Sequence, residues 1–251
     1  MRSKLRIWTA VAFLSLVSFA VLLIRHRFDS ERRTMAAYQL YNIYSAIDQE
    51  SQLTKIPNQA TSTHLGMQQS WRVVVYNWMI ANRFGGLYKL NESYDSSSNL
   101  SAAKSIVLAD GKQFKPGSVY ALPGDRNAMK NSWTSYLRVT GRGTYGEGFS
   151  TNIDVPDGAD KTILVVLMLN SGVFWTAPID LSIDDNSQLL DRWMKQPEKI
   201  AVFGDGKVRQ LDSKTTLEEF FALCTCNGGE YVRIDEHKQL SWEGWEYLSF
   251  E

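Results

Sequence analysis

The chain has 251 residues, 44% hydrophobic and 22% charged, with 27 basic and 27 acidic side chains. Its size suits one domain, or one domain with an extension, and 8 Trp, 11 Tyr and 11 Phe are enough for a substantial core. The charge is uneven: residues 1–27 hold five basic groups and no acid, leaving residues 28–251 with 22 basic and 27 acidic groups, a net of −5, which argues against broad phosphate-backbone binding and leaves room for a local basic patch.

In chain order, the first element is the run Ile7 to Ile24, "IWTAVAFLSLVSFAVLLI", 18 residues without a charge. As a helix it rises roughly 27 Å, close to the thickness of a hydrocarbon core. A cleaved signal peptide would need a shorter apolar run ending in small residues. Here Ala20 is followed by Val21-Leu22-Leu23-Ile24, which favours an uncleaved anchor. The expected organisation is a flank and transmembrane anchor over 1–27 and one α+β body over 28–251. No second apolar span follows, so the body is expected on one side of the membrane. Basic residues flank the run on both sides, with Arg2, Lys4 and Arg6 before it and Arg25, Arg27, Arg32 and Arg33 after it. Orientation is therefore open from charge alone.

Beyond the anchor, Leu40, Ile43, Tyr44 and Ile47 recur at i, i+3, i+4 and i+7, the signature of a helix with one apolar face. Asp29 or Ser30 can cap it. No Pro or Gly separates it from the anchor, so one long helix is the simplest reading. Residues 51–69 are polar, contain Pro57 and Gly66, and read as a loop. "WRVVVY" (71–76) reads as a strand, "NWMIANRFGGLY" as a helix stopped at Gly85-Gly86, and "LSAAKSIVL" (100–108) as a short helix. From about Ser118 the pattern turns to strands: "SVYAL", "WTSYLRVT", "TILVVLMLN", "VFWTA", "KIAVFG" and "KVRQL". Asp205-Gly206 signals a hairpin. "TTLEEFFALC" reads as a helix, with Thr216 and Glu219 at capping-box spacing. The sum is α+β: a long N-terminal helix packed on an antiparallel sheet with minor helices.

Candidate chemistry is sparse. Gly141, Gly143 and Gly146 form G-x-G-x-x-G after a strand, but the following "FSTNIDVPDG" cannot open the helix a dinucleotide needs, so the run reads as a hairpin or loop. Asp154, Asp157 and Asp160 are weak calcium candidates, without an EF-hand loop or its terminal Glu. Asp180, Asp184 and Asp185 form a second acidic group. Both groups read best as solvated turns. The three histidines (His26, His64, His237) belong to no H-E-x-x-H pair, and there is no G-x-S-x-G elbow. Glu218-Glu219 reads as a solvated helix face. Cys224 and Cys226 lack the further ligands of a zinc site; one residue apart, they could form only a strained mutual disulfide, and they read as free or half-buried thiols. No catalytic or cofactor-binding residue is assigned. Trp242, Trp245 and Tyr247, with the acidic loops, leave an alternative open: an anchored binding domain for a small ligand, glycan or calcium.

Seven short segments together resemble a large bacterial family of prepilin-like and pseudopilin-like proteins of unknown function. They are "ERRTMAAYQLYNIYSAI", "SWRVVVYNWM", "LYKLNESYDSSSN", "TSYLRVTGRGT", "DGADKTILVVLMLNSGVFWTAPIDL", "FGDGKVRQL" and "LCTCNGGE". They occur in the family's order, with Tyr94 standing where the family has Trp. The resemblance implies a type IV pilin-like fold, with its N-terminal helix half membrane anchor and half packed on a sheet. It also implies an extracytoplasmic body at the inner membrane and a secretion-related role played by protein–protein contact. Within "LYKLNESYDSSSN", Asp95 and Asn99 are expected to hold turn backbone, and Trp71, Tyr76 and Trp78 to pack on the long helix. The chain departs from the prepilin pattern: no Gly precedes the apolar run and no Glu occurs before Glu31. The resemblance therefore does not carry prepilin-peptidase processing with it. A second departure is "WMKQPEKIAV", which replaces the family's His-Pro-Gly-Gly-like loop.

Overall fold

The computed structural model describes residues 2–54, 61–64, 67–79, 87–107, 112–145, 155–184, 187–228 and 238–240, with backbone alone over 2–14, 53–54, 61–64, 67–68 and at 77. Gly85-Gly86 and the tail aromatics Trp242, Trp245 and Tyr247 lie outside the described residues.

One helix, α1 (Arg2–Thr54), runs unbroken through both halves of the N-terminal region. Nothing in it stops helix propagation, so neither Asp29 nor Ser30 serves as a cap. The helix changes character along its length. Leu16, Phe19, Leu22, Leu23, Ile24 and Phe28 are exposed, whereas Ala36, Ala37, Leu40, Ile43, Ala46 and Ile47 are buried against the body. Among the described residues no helix is long and apolar enough to cross a membrane. The side chains of the first half of Ile7 to Ile24 lie outside them.

The body is built on a six-stranded sheet in the order β10-β9-β8-β6-β5-β7. Its strands are β5 (Tyr136–Thr140), β6 (Ile163–Leu167), β7 (Leu181–Ser182), β8 (Lys199–Phe203), β9 (Val208–Leu211) and β10 (Lys238–Gln239). The expected antiparallel sheet is corrected to a mixed one: β7 runs parallel to β5, pairing Val139 with Leu181 and Thr140 with Ser182. The other neighbours are antiparallel. The strand "ILVVL" is buried on both faces, which is why it lacks polar alternation. Leu164, Val165 and Leu167 meet α1, while Ile163 and Val166 meet the opposite layer. That layer holds α5 (Gln188–Met194) and α6 (Leu217–Cys224), with Trp193 packed on Phe220. The Thr216–Glu219 capping box is formed.

Several expected elements differ. "WRVVVY" is not a strand but the start of helix α2 (Trp71–Met79). Its β-branched residues are overridden by packing: Trp71, Val73, Val75 and Tyr76 are all buried in the core shared with α1. The Ser70 hydroxyl accepts the Arg72 N–H at 3.3 Å where the helix begins. The polar stretch 51–69 contains a hairpin of β1 (Thr61–His64) and β2 (Met67–Ser70), invisible to hydrophobic patterning because its residues are nearly all polar. α3 (Ser97–Lys104) starts earlier than expected and gives way to β3 (Ile106–Val107), which pairs with β4 (Gln113–Phe114). "SVYAL" lies largely in a 3-10 turn (Pro116–Tyr120) opened by its proline. "VFWTA" is irregular, with one bridge from Phe174 to Trp133. α4 (Arg126–Asn131) and α5 had no strong periodic signal and are set by their caps, Asp125 and Ser187.

Candidate functional site

Among the described residues a dense buried polar cluster forms where the start of α2 meets the segment 175–180. Arg72, near the start of α2, is fully buried. Its Nε donates to the Trp175 carbonyl at 2.9 Å. Nη1 donates to the Tyr136 carbonyl (3.3 Å) and to Asp180 Oδ1 (2.8 Å). Nη2 donates to the carbonyls of Ala177 and Ile179, both at 2.9 Å. All five N–H groups of a guanidinium are thus engaged. Among the described residues the irregular segment 175–179 has no strand partner for these carbonyls, and Arg72 supplies donors to them. Asp180 Oδ1 also accepts from Trp71 Nε1 (3.1 Å) and from the Arg138 backbone N–H (3.0 Å).

The sequence reading of Asp180 as a solvated turn residue is therefore corrected: its side chain is 4% exposed and ion-paired. An arginine inside the apolar run "WRVVVY" was the signal that could have exposed the pair. A buried arginine demands a carboxylate or several carbonyls, and "PID" supplies both. With every donor occupied, the cluster has no free cationic group to offer a ligand.

Aromatics enclose it. Tyr120 stacks on Trp175 with ring centroids 5.5 Å apart, and Tyr76 lies 5.4 Å from Trp175. The Tyr120 hydroxyl donates to the Arg72 carbonyl at 2.6 Å, and burial pushes its pKa well above the ordinary phenol value. Trp175 Nε1 donates to the Ala103 carbonyl at 3.0 Å, tying α3 to the same cluster. Arg138 is buried alongside. Burial lowers its guanidinium to about 10, with Asp180 acting upward and Arg72 downward, so it stays protonated at neutral pH.

The other candidates resolve into structural contacts. Asp157 accepts the Gly228 N–H at 2.7 Å and its own N–H donates to the Cys226 carbonyl at 3.2 Å, which clamps the chain after α6 to the turn before β6. Asp160 is exposed, and Asp154 lies outside the described residues. Among the described residues no group of three His, Cys, Asp or Glu is placed to hold a metal ion. Asp184 accepts the Arg142 N–H at 2.9 Å, and Asp185 lies outside the described residues. Gly141 and Gly143 occupy left-handed backbone after β5 and lead into a turn, not a helix; Gly146 falls outside the described residues. His26 lies on the exposed stem of α1 and His64 ends β1, while His237 lies outside the described residues. Cys224 and Cys226 are free and buried. Burial raises both thiols, Cys224 well above its usual value and Cys226 to about 12, where Asp157 adds to the effect.

In the corner 87–99, Asn99 is the anchor. Its Oδ1 accepts the Lys89 N–H (2.7 Å), and its Nδ2 donates to the carbonyls of Lys89 (2.9 Å), Glu92 (3.3 Å) and Ser93 (2.9 Å). Asp95, expected to share that role, is exposed and accepts the Ser93 hydroxyl at 2.5 Å. The cap of α3 is Ser96. Trp71 and Tyr76 pack in the α1 core as expected, and Trp78, 41% exposed, donates to Glu50 of α1 at 2.6 Å.

No protein-family model, curated protein or solved structure matches this chain.

Proposed function

We propose that this chain is a membrane-anchored, pseudopilin-like envelope protein that acts by protein–protein contact, with a pilin-like body on the periplasmic side of the inner membrane. The observation that carries the reading is the unbroken helix Arg2–Thr54, whose N-terminal part bears the uncharged run Ile7 to Ile24 and whose C-terminal part buries one face on a sheet. The ordered family-like segments support it. Two of them, around Trp71-Arg72 and Trp175 to Asp180, join in one buried cluster, so their shared residue types have a common structural reason. The secretion-related role follows from the resemblance. In-membrane photocrosslinking from exposed body positions tests the proposal. An adduct with an envelope component is the expected result, and monomer alone at every position would overturn it. Mass spectrometry of the membrane-extracted chain is expected to find an intact N-terminus rather than one trimmed and methylated near Ile7.

A further inference from the structure

We infer that the loop end of the body nearest the anchor is a docking face for anionic lipid headgroups in the leaflet beside it; this rests on the anchor reading above. The register of α1 against the sheet defines that end. Arg32 and Arg33 both donate to Glu198 at 2.7 Å, just before β8. Further along α1, Tyr44 lies against Gly206 in the β8–β9 hairpin, where an added Cβ would come within 2.7 Å of its ring. β8 therefore runs alongside α1 and points away from the anchor. By sheet pairing, the end of β6, the start of β5, the start of β8 and the end of β9 share the anchor-proximal end. The α4 loop joins them: Asp125 accepts from the Ser135 hydroxyl and the Asn170 N–H, at 3.2 and 3.0 Å.

From Ile24 to Arg32 the helix advances about 12 Å at the α-helical rise. The headgroup layer beyond the hydrocarbon is roughly 5–8 Å deep. The anchor-proximal loops thus stand just above the headgroups, within reach of extended Lys and Arg side chains. What they carry is basic: Arg126 and Lys130 on α4, Arg192 and Lys195 at the end of α5, and Lys214 after β9. Arg126, Lys130, Arg192, Lys195 and Lys214 are all exposed, and among the described residues none of them makes an ion pair; Arg192 is held on the Ser171 and Asn170 carbonyls, which fixes its charge at this end. The acids nearby are Asp29 and Glu31 on the stem of α1, paired with Arg32 and Arg27, Asp125, buried as the cap of α4, Glu198, held by Arg32 and Arg33, Asp212, which accepts the Lys214 N–H at 2.7 Å, and Asp191 one turn back on α5. Met129 projects among the basic groups, 46% exposed, as an apolar contact. The opposite end is mixed instead, with Asp157, Asp160, Asp184 and Asp205 beside Arg142, Lys161 and Lys207. A body with an acidic net charge thus turns a cationic face toward the one surface its anchor would hold it against. Each basic side chain at an anionic surface shifts the docked-to-undocked ratio roughly fivefold.

The full chain, reconstituted into vesicles and labelled with an environment-sensitive fluorophore at Met129→Cys, tests this; the native thiols are buried and stay unlabelled. Headgroup-borne quenchers should reach Met129→Cys in phosphatidylglycerol-containing vesicles and not in phosphatidylcholine alone. They should not reach a label at Lys161→Cys at the far end. Roughly 1 M salt, which cuts the Debye length to about 3 Å, should abolish the quenching. So should combined Arg126→Glu, Lys130→Glu, Lys195→Glu and Lys214→Glu, with an unchanged melting temperature confirming the fold. Equal quenching in both lipids, or at both ends, would overturn the docking face. Release of the chain by an alkaline wash would overturn the anchor reading and this inference with it. Retention without lipid-dependent quenching would overturn this inference alone.

Discussion

Arg72 is one side chain on which four parts of the fold depend: α2, β5, the segment 175–179 and Asp180. Removing one member of a buried ion pair typically costs about 3–5 kcal/mol, because the other charge is left without compensation. Arg72→Ala should therefore lower the melting temperature by roughly 6–20 °C, given the size of the body. Arg72→Lys should rescue little of this, since an ammonium cannot span acceptors arranged around a planar guanidinium. Thermal unfolding followed by near-UV circular dichroism decides both. The thiols of Cys224 and Cys226 give a second prediction. Burial holds both well above the usual cysteine range, so neither is a thiolate at mildly alkaline pH. Iodoacetamide at that pH should leave the native chain unmodified and alkylate both sulfurs in denaturant. Glu92 gives a third. Lys89, then Ser98 and Ser96, hold its carboxyl down at about 2. A depressed carboxylate stabilises above its unfolded pKa and loses that contribution as pH falls toward its folded value. The corner 87–99 should therefore loosen as pH drops from about 4.5 to about 2. Amide exchange at the α3 N-terminus should rise over that window, and Glu92→Gln should remove the dependence.

Among the elements, α6 and the β8–β9 hairpin were legible because their signals are local. The Thr216–Glu219 box is a spacing, and Asp205-Gly206 is a dipeptide. Thr216→Ala should cost about 1 kcal/mol in urea unfolding, the usual worth of a side-chain cap. Gly206 has a second constraint that no local rule gives. Its φ is +79°, and an added Cβ would meet the Tyr44 ring of α1 at 2.7 Å. Gly206→Ala should thus exceed the cost of the cap loss, and Tyr44→Ala should relieve part of it in a double-mutant cycle. Elsewhere local signals failed. Val73, Val74 and Val75 look like a strand, yet α2 is helical because one helical face packs on α1 and Arg72 reaches its acceptors from a helical turn. The polar hairpin β1–β2 has no apolar alternation to betray it.

Across the whole molecule, the helix α1 divides at about Arg32. Before it the described side chains are largely exposed; after it Ala36, Ala37, Leu40, Ile43, Ala46 and Ile47 form part of the core. Burying the three larger aliphatic side chains and three alanines of that stripe is worth on the order of 10 kcal/mol, comparable to the stability of an entire domain. A chain lacking residues 1–28 should therefore fold, with a melting temperature within a few degrees of the full chain in detergent. One lacking residues 1–47 should be unfolded by amide exchange.

The order of residues alone determined the long helix, the α+β class, the buried strands β5, β6, β8 and β9 and the hairpin at Asp205-Gly206, because each depends on periodicity or on a few neighbouring residues. It also carried the residue types of the Arg72 cluster without showing that they meet. Only the tertiary structure decided that Arg72 and Asp180, 108 residues apart, form one ion pair, that β7 lies parallel to β5, and that Asn99 rather than Asp95 holds its corner. It likewise decided which scattered lysines and arginines share one end of the body. Those outcomes depend on long-range pairing. Burial of a charge or of a carbonyl is a property of the folded surroundings, and no local stretch of chain contains them.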